Sequence, residues 1–247
     1  MYSKQYIDQL IQKLSELEQR CLNEINESAQ MVFDTVQNGH RVYFFGCTHA
    51  GILSQESFYR TGGLAIINPI FPPGLNVQDT PISITSELER VNGYGTIIAE
   101  QSGIQEGDLL FIHSVSGRNS VPIDLAQAAK EKGVTVIGIT SMAYSSCSQS
   151  RHPSGKRLFE VCDLVIDDVC PFGDALIQLE TSGVKVSPGS TVLGVAILNA
   201  IVAQAAGLFD EKGVLPPTYQ SVNVDKGDEY NRRVFETYKE QIGYKMR

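Results

Sequence analysis

A doubly wound α/β fold, a parallel sheet flanked by helices in three layers, is what this chain predicts, and three observations predict it. Apolar runs of strand length recur with helical patterns between them: Arg41–Gly46, Leu64–Ile67, Leu109–Ile112, Gly133–Thr140 and Leu164–Ile166. Several are apolar without alternation, as strands buried on both faces are. Two of them end in short polar turns that open into helices, where sheets of this kind bind ligands. The 247 residues, 42% hydrophobic, suit one domain over 1–247 with an N-terminal helical extension (1–38) and a C-terminal helical tail (216–247).

Residues 2 to about 38 carry Ile7, Leu10, Ile11, Leu14, Leu17, Cys21, Ile25, Ala29, Val32, Phe33 and Val36 on one stripe of helical period. One long helix or two broken ones are expected, and the stripe is longer than one small sheet needs. Part of it is therefore expected to pack on another subunit. After the first strand, a helix should run from the Cys47–Gly51 turn to about Arg60. Leu64–Ile67 is the second strand, and Phe71-Pro72-Pro73-Gly74 opens a long loop. Glu87–Gln101 reads as a helix interrupted at Gly93 and Gly95. Ser141–Ser154 is a polar loop holding His152, and Ala175–Val186 reads as extended or hairpin structure. Ser190-Thr191 should cap an Ala- and Gly-rich helix that Asn199 and Gln204 mark as buried in protein rather than lipid. There Gly194, Ala196, Ala200 and Ala203 leave room for close packing. Pro216-Pro217 breaks the chain before a polar cluster, 221–231, that opens a last helix.

The chemistry concentrates in Gly107–Asp124, GDLLFIHSVSGRNSVPID. A buried strand runs into a hydroxyl-rich turn, and Pro122 suits the first turn of the helix that follows. Unpaired amides of that turn and the helix dipole favour an anion. Ser114 and Ser116 add hydroxyl donors, Gly117 lets the backbone approach, and Asn119 or Ser120 can cap the helix. The same residues also suit an ordinary capped turn, and spacing alone does not choose between the two.

Ser-x-Ser-Gly-x-Asn after a buried strand resembles the sugar-phosphate-binding turn of SIS (sugar isomerase) domains, and the resemblance covers roughly residues 42–209. It implies that Ser114, Ser116, Gly117, Asn119 and Ser120 hold the anion of an aldose or ketose phosphate. In this family the first turn reads Gly-x-Gly-x-Ser or, in an uncharacterised isomerase-like subgroup, Phe-Gly-x-Gly-His-Ser. Phe45, Gly46 and His49 match; Thr48 stands in the second Gly position and Ala50 replaces the Ser. One hydroxyl is lost, which leaves phosphate and sulfonate both open, with Thr48 itself a candidate contact. The run Gly227-Asp228-Glu229-Tyr230-Asn231 resembles the Gly-Asp-Glu-x-Asn tail of that subgroup, and it also suits a helix start.

The activity so implied is that of a stand-alone aldose–ketose isomerase working through an enediol on a phosphorylated sugar. Glu56 is then the base, His49 the ring-opening or oxygen-polarising group, and Glu229 a rival base. Ser190, Thr191, Asp228 and Asn231 complete the substrate-binding candidates. The alternatives are an isomerase of a sulfonated hexose, a non-catalytic sugar-phosphate sensor, and an SIS-type lyase acting on an N-acetylmuramic acid ether.

Composition narrows the partners. Twenty basic residues against 28 acidic give a net charge of −8, which argues against nucleic acid and anionic membrane. Five cysteines without a C-x-x-C pair, and an N-terminus without a signal pattern, fit a reduced cytoplasmic protein. No P-loop or dinucleotide fingerprint is present, so no cofactor or metal is expected. The expected partners are an anionic sugar and further copies of the chain, with sites near the subunit interface.

Overall fold

Strand after strand of the predicted set lines up side by side in one direction. The computed structural model describes residues 1–244. A 36-residue helix α1 (Tyr2–Gln37) leads into β1 (Val42–Gly46), a 3-10 turn at His49–Gly51 and a short α2 (Ile52–Glu56). Then come β2 (Ile67–Pro69), α3 (Ser83–Leu88), α4 (Tyr94–Gln101), β3 (Leu109–His113), α5 (Ser120–Glu131) and β4 (Thr135–Thr140). The chain continues through α6 (Met142–Ser145), β5 (Leu164–Asp167), the hairpin strands β6 (Ala175–Gln178) and β7 (Lys185–Pro188), α7 (Ser190–Glu211) and α8 (Gly227–Thr237).

The five-stranded sheet has the order β2-β1-β3-β4-β5, and every pairing is parallel. From β1 the chain steps outward to β2, then returns across β1 to β3. That reversal puts the topological switch point between β1 and β3, whose carboxyl ends are Gly46 and His113 in register. Strand side chains alternate between two cores. Val42, Phe44, Leu109 and Phe111 face α1 and α7, whereas Tyr43, Phe45, Leu110 and Ile112 face α4 and α5. Phe44 and Phe111 stack across the switch point with ring centroids 5.6 Å apart.

Several expectations need correction. The helix after β1 stops at Glu56 instead of Arg60, because Tyr59 adopts a φ of 41° that a helix cannot contain. The second strand begins at Ile67, not Leu64: Leu64 bridges Thr218 and the Ala65 amide donates to Pro217 O at 2.6 Å, so the C-terminal segment claims that stretch. Glu87–Gln101 is not one helix: α3 ends at Leu88, and α4 begins only after Gly93, whose φ is 84°. The polar loop after β4 contains α6. Gly189, not Ser190-Thr191, is the N-cap of α7, and the Asp174 carboxylate accepts from the Gly189 and Ser190 amides.

The N-terminal helix is single. Leu10, Leu17, Cys21 and Ile25 reach the core, yet Ile7 and Ile11 stay 54% and 62% exposed on the expected stripe. Helix α7 is long and apolar enough to cross a membrane, but here it packs on α1 and α2 with Leu193, Ile197 and Ile201 in the core. A Cβ at Gly194 would lie 2.7 Å from Leu53 Cδ2, the close approach that its small residues were expected to serve.

Candidate functional site

The two polar turns singled out in the sequence stand on either side of the switch point. The first follows β1. Thr48 there has φ 54° and ψ −128°, a conformation that glycine adopts freely and threonine rarely. It is held from both sides: its amide donates to Leu75 O at 2.8 Å and its carbonyl accepts from Gly51 at 3.0 Å. The chain therefore keeps a glycine-like path although a side chain has been added. His49 is exposed and Ala50 half-buried. The Ala50 carbonyl lies 3.1 Å from His113 Nδ1; a carbonyl only accepts, so the ring proton is on Nδ1.

The second turn follows β3 and is clamped through its main chain. Ser114 N donates to Ile139 O, Gly117 N to Ser114 O and Ser141 N to Val115 O, while the Thr140 hydroxyl donates to Ser114 O at 2.7 Å. Gly117 has φ 57°, and a Cβ there would meet Ser145 Oγ at 2.4 Å. Fixing the backbone this way leaves the Ser114 and Ser116 side chains half-buried, with no hydrogen bond among the described residues. The other expected donors are engaged. Asn119 sits at the N-cap of α5 but does not cap it: its Nδ2 donates to Glu89 Oε1, and its Oδ1 accepts from Arg151 Nη1 at 2.8 Å. Ser120 is buried and its hydroxyl donates to Arg151 O, and the Val121 amide is taken by Glu89 O at 3.1 Å.

Arg118 belongs to this turn, and Arg151 reaches it through Asn119. Burial, then the charges of Arg118 and Arg90, lower the pKa of Arg151. Arg118 Nε is buried there without a partner among the described residues. Glu89 is the carboxylate among them; burial raises its pKa against the pull of Arg90 and Arg151. Beneath the first turn lies a second buried polar pair that sequence reasoning missed. His113 Nε2 and Asp168 Oδ2 are 4.0 Å apart, their side chains 1% and 0% exposed, and neither atom has a hydrogen bond among the described residues. Burial lowers His113 to about 4 and raises Asp168 to about 7. A histidine closing an apolar run, and an acid pair closing the next but one, were the only signals available.

The remaining candidates are dispersed. Glu56, at the far end of α2, is ion-paired with Arg60. Ser190 bonds to Asp174 Oδ2 at 2.8 Å, and Thr191 is half-buried beside it. Glu229 is exposed on α8. Asp228 and Asn231 line a cavity of about 690 Å³ with Tyr59, Arg60, Tyr219 and Phe235, to which no residue of the two turns contributes. Asn231 fastens this region, donating to Gln220 O and accepting from Gln220 N, each at 2.9 Å.

Comparison with known proteins then decides the family. Residues 5–141, more than half of the chain, match the family model described as SIS domain. The chain belongs to the SIS domain family. A UPF0309 protein of Shouchella clausii is 45% identical over 243 residues, covering 97% of this chain and 99% of the relative. A UPF0309 protein of Oceanobacillus iheyensis is 44% identical over 98% of this chain and 99% of that one. Among solved structures, a phosphoheptose isomerase from Francisella tularensis superposes with a TM-score of 0.53 at 16% identity, over 83% of this chain and 96% of that one. The Vibrio vulnificus NanR protein complexed with ManNAc-6P gives 0.51 at 14% identity, over 99% of this chain and 71% of that one. These likenesses establish the SIS fold, a parallel sheet with its turns at the switch point.

Proposed function

We infer that this SIS protein is an aldose–ketose isomerase of an anionic sugar, and that the turn after β3 holds the anion. The observation that carries this reading is the pair of free hydroxyls, Ser114 and Ser116, on a main chain fixed at the switch point between β1 and β3. Arg118 and Arg151 add positive charge beside them, in a chain whose net charge is −8. The solved structures of this fold include a phosphoheptose isomerase and a protein complexed with ManNAc-6P. Phosphate is the favoured anion. The glycine-like path of Thr48 preserves the first turn despite the substitution, and three guanidiniums suit a group that carries up to two charges. His49, exposed on the first turn, is the group we assign to polarising a sugar oxygen.

A sensor that binds without turnover uses the same turns, and turnover separates the two. The purified protein is expected to interconvert an aldose phosphate and its ketose. Ser114→Ala and Ser116→Ala should each raise KM about tenfold to a hundredfold, since a hydroxyl bonded to a charged oxygen contributes about 1.5–3 kcal/mol. Unchanged KM in both variants would remove the turn from the reaction. Binding of hexose 6-phosphates with no interconversion would make the protein a sensor.

A further inference from the structure

An aldose–ketose isomerisation needs a base at the crevice, and of the carboxylates around it Glu89 stands best. It is the C-cap residue of α3, and it is tied to the second turn and the helix after it. Its backbone carbonyl accepts from Val121 N at 3.1 Å, in the first turn of α5, and its side chain accepts from Asn119 Nδ2. It also lies close to the first turn. The Cys47 thiol, pushed well up by burial, is pushed further by the Glu89 charge. One carboxylate thus bonds to the residue that opens α5 and lies within electrostatic reach of the first turn.

The path of the chain explains how it arrives there. The Leu75 carbonyl is bonded to Thr48, and Asn76 pairs with Thr48 as a β-bridge, so the loop after β2 crosses the first turn before α3 carries Glu89 to the second. Glu89 has no ion pair within 4.0 Å among the described residues, unlike Glu56, which Arg60 holds. Arg90 and Arg151 offset part of its charge, and Asn119, three residues after Ser116, bonds both the Glu89 carboxylate and Arg151. Burial raises its pKa against the pull of Arg90 and Arg151, the direction that suits a base.

We propose that Glu89 is the base of the isomerisation, a role that rests on the isomerase reading given above. In the open-chain aldose the carboxylate takes the proton from C2. The C–H electron pair forms the C1–C2 double bond, and the carbonyl pair moves onto O1, which gains a proton. The resulting enediol loses the O2 proton, O2 forms the new carbonyl, and the carboxylic acid returns its proton to C1. Nothing is oxidised or reduced overall.

The test uses the full chain with hexose 6-phosphates in D2O, followed by proton NMR, and with inorganic phosphate in a calorimeter. Wild type should interconvert aldose and ketose with deuterium entering at the transferred position. Glu89→Gln should lower turnover about 10²- to 10⁴-fold, while its Kd for inorganic phosphate and its melting temperature stay close to wild type. Glu89→Asp keeps the charge on a shorter arm and should retain intermediate turnover with deuterium entry. Glu89→Gln turning over within a few fold of wild type would overturn the assignment. So would normal turnover with tenfold tighter phosphate binding, which would make Glu89 a competitor for the anion site. A wild-type protein that binds hexose phosphates without deuterium entry would instead overturn the isomerase reading, and the base with it.

Discussion

At the scale of single residues, the buried polar groups decide how this protein answers to pH. His113 and Asp168 face each other, fully buried, under the first turn, with Asp167, Asp174 and Cys170 the further titrating groups beside them. Asp168, raised from 3.8 to about 7, binds more protons folded than unfolded between those values. Its contribution to stability therefore falls as pH rises from about 4 to about 7. His113, lowered from 6.5 to about 4, binds fewer protons folded, so its contribution rises over about pH 4 to 6.5. The two slopes oppose, each at most about 1.4 kcal/mol per pH unit. Asp168→Asn should expose the histidine's slope and steepen the rise in stability between pH 4 and 6.5. His113→Gln should reverse it. Denaturant melts at half-unit pH steps read this, and parallel curves for all three proteins would contradict it. Thr48 offers a second residue-scale outcome. Its glycine-like backbone costs about 1–3 kcal/mol, more than the entropy that glycine adds to the unfolded chain. Thr48→Gly should therefore raise the urea midpoint, and a lowered midpoint would contradict the strain.

Among the elements, the glycines expected to interrupt a helix turn out to make a junction. Gly93 is the left-handed N-cap of α4, and its amide donates to the Asp124 carboxylate of α5 at 2.6 Å. Gly95 lets the two helices touch: a Cβ there would lie 2.2 Å from Val121 O and 2.6 Å from Leu125 N, both backbone atoms that cannot move aside. Gly95→Ala should cost about 1–3 kcal/mol and lower the melting temperature by several degrees. It should also weaken anion binding, because α5 carries the second turn. An unchanged melting temperature would contradict this. Period and punctuation made the strands, the hairpin and the long helices legible, and Ser-x-Ser-Gly-x-Asn located the second turn. The start of β2 was not legible, because Leu64–Ile66 is apolar whichever neighbour claims it, and Pro217 and Thr218 lie about 150 residues away in the chain. Nor did the sequence show which side chains meet Asn119 and Ser120, the expected anion contacts: the fold brings Glu89 and Arg151 into hydrogen bonds with them.

For the molecule as a whole, the two polar turns share the carboxyl end of the sheet, and the long first helix keeps part of its apolar stripe exposed. Ile7 and Ile11 are uncovered on α1. Ile7→Glu with Ile11→Glu is expected to reduce the protein's association state in sedimentation, and an unaltered state would show that this stripe is no subunit contact. The turns at the switch point, and not the cavity under α8, are expected to take the anionic sugar. A crystal structure with a bound hexose 6-phosphate tests this most directly. Phosphate oxygens are predicted within hydrogen-bonding distance of the Ser114 and Ser116 hydroxyls, with the sugar reaching toward His49 and Glu89. Phosphate lodged instead among Arg60, Arg232 and Asn231 would contradict it.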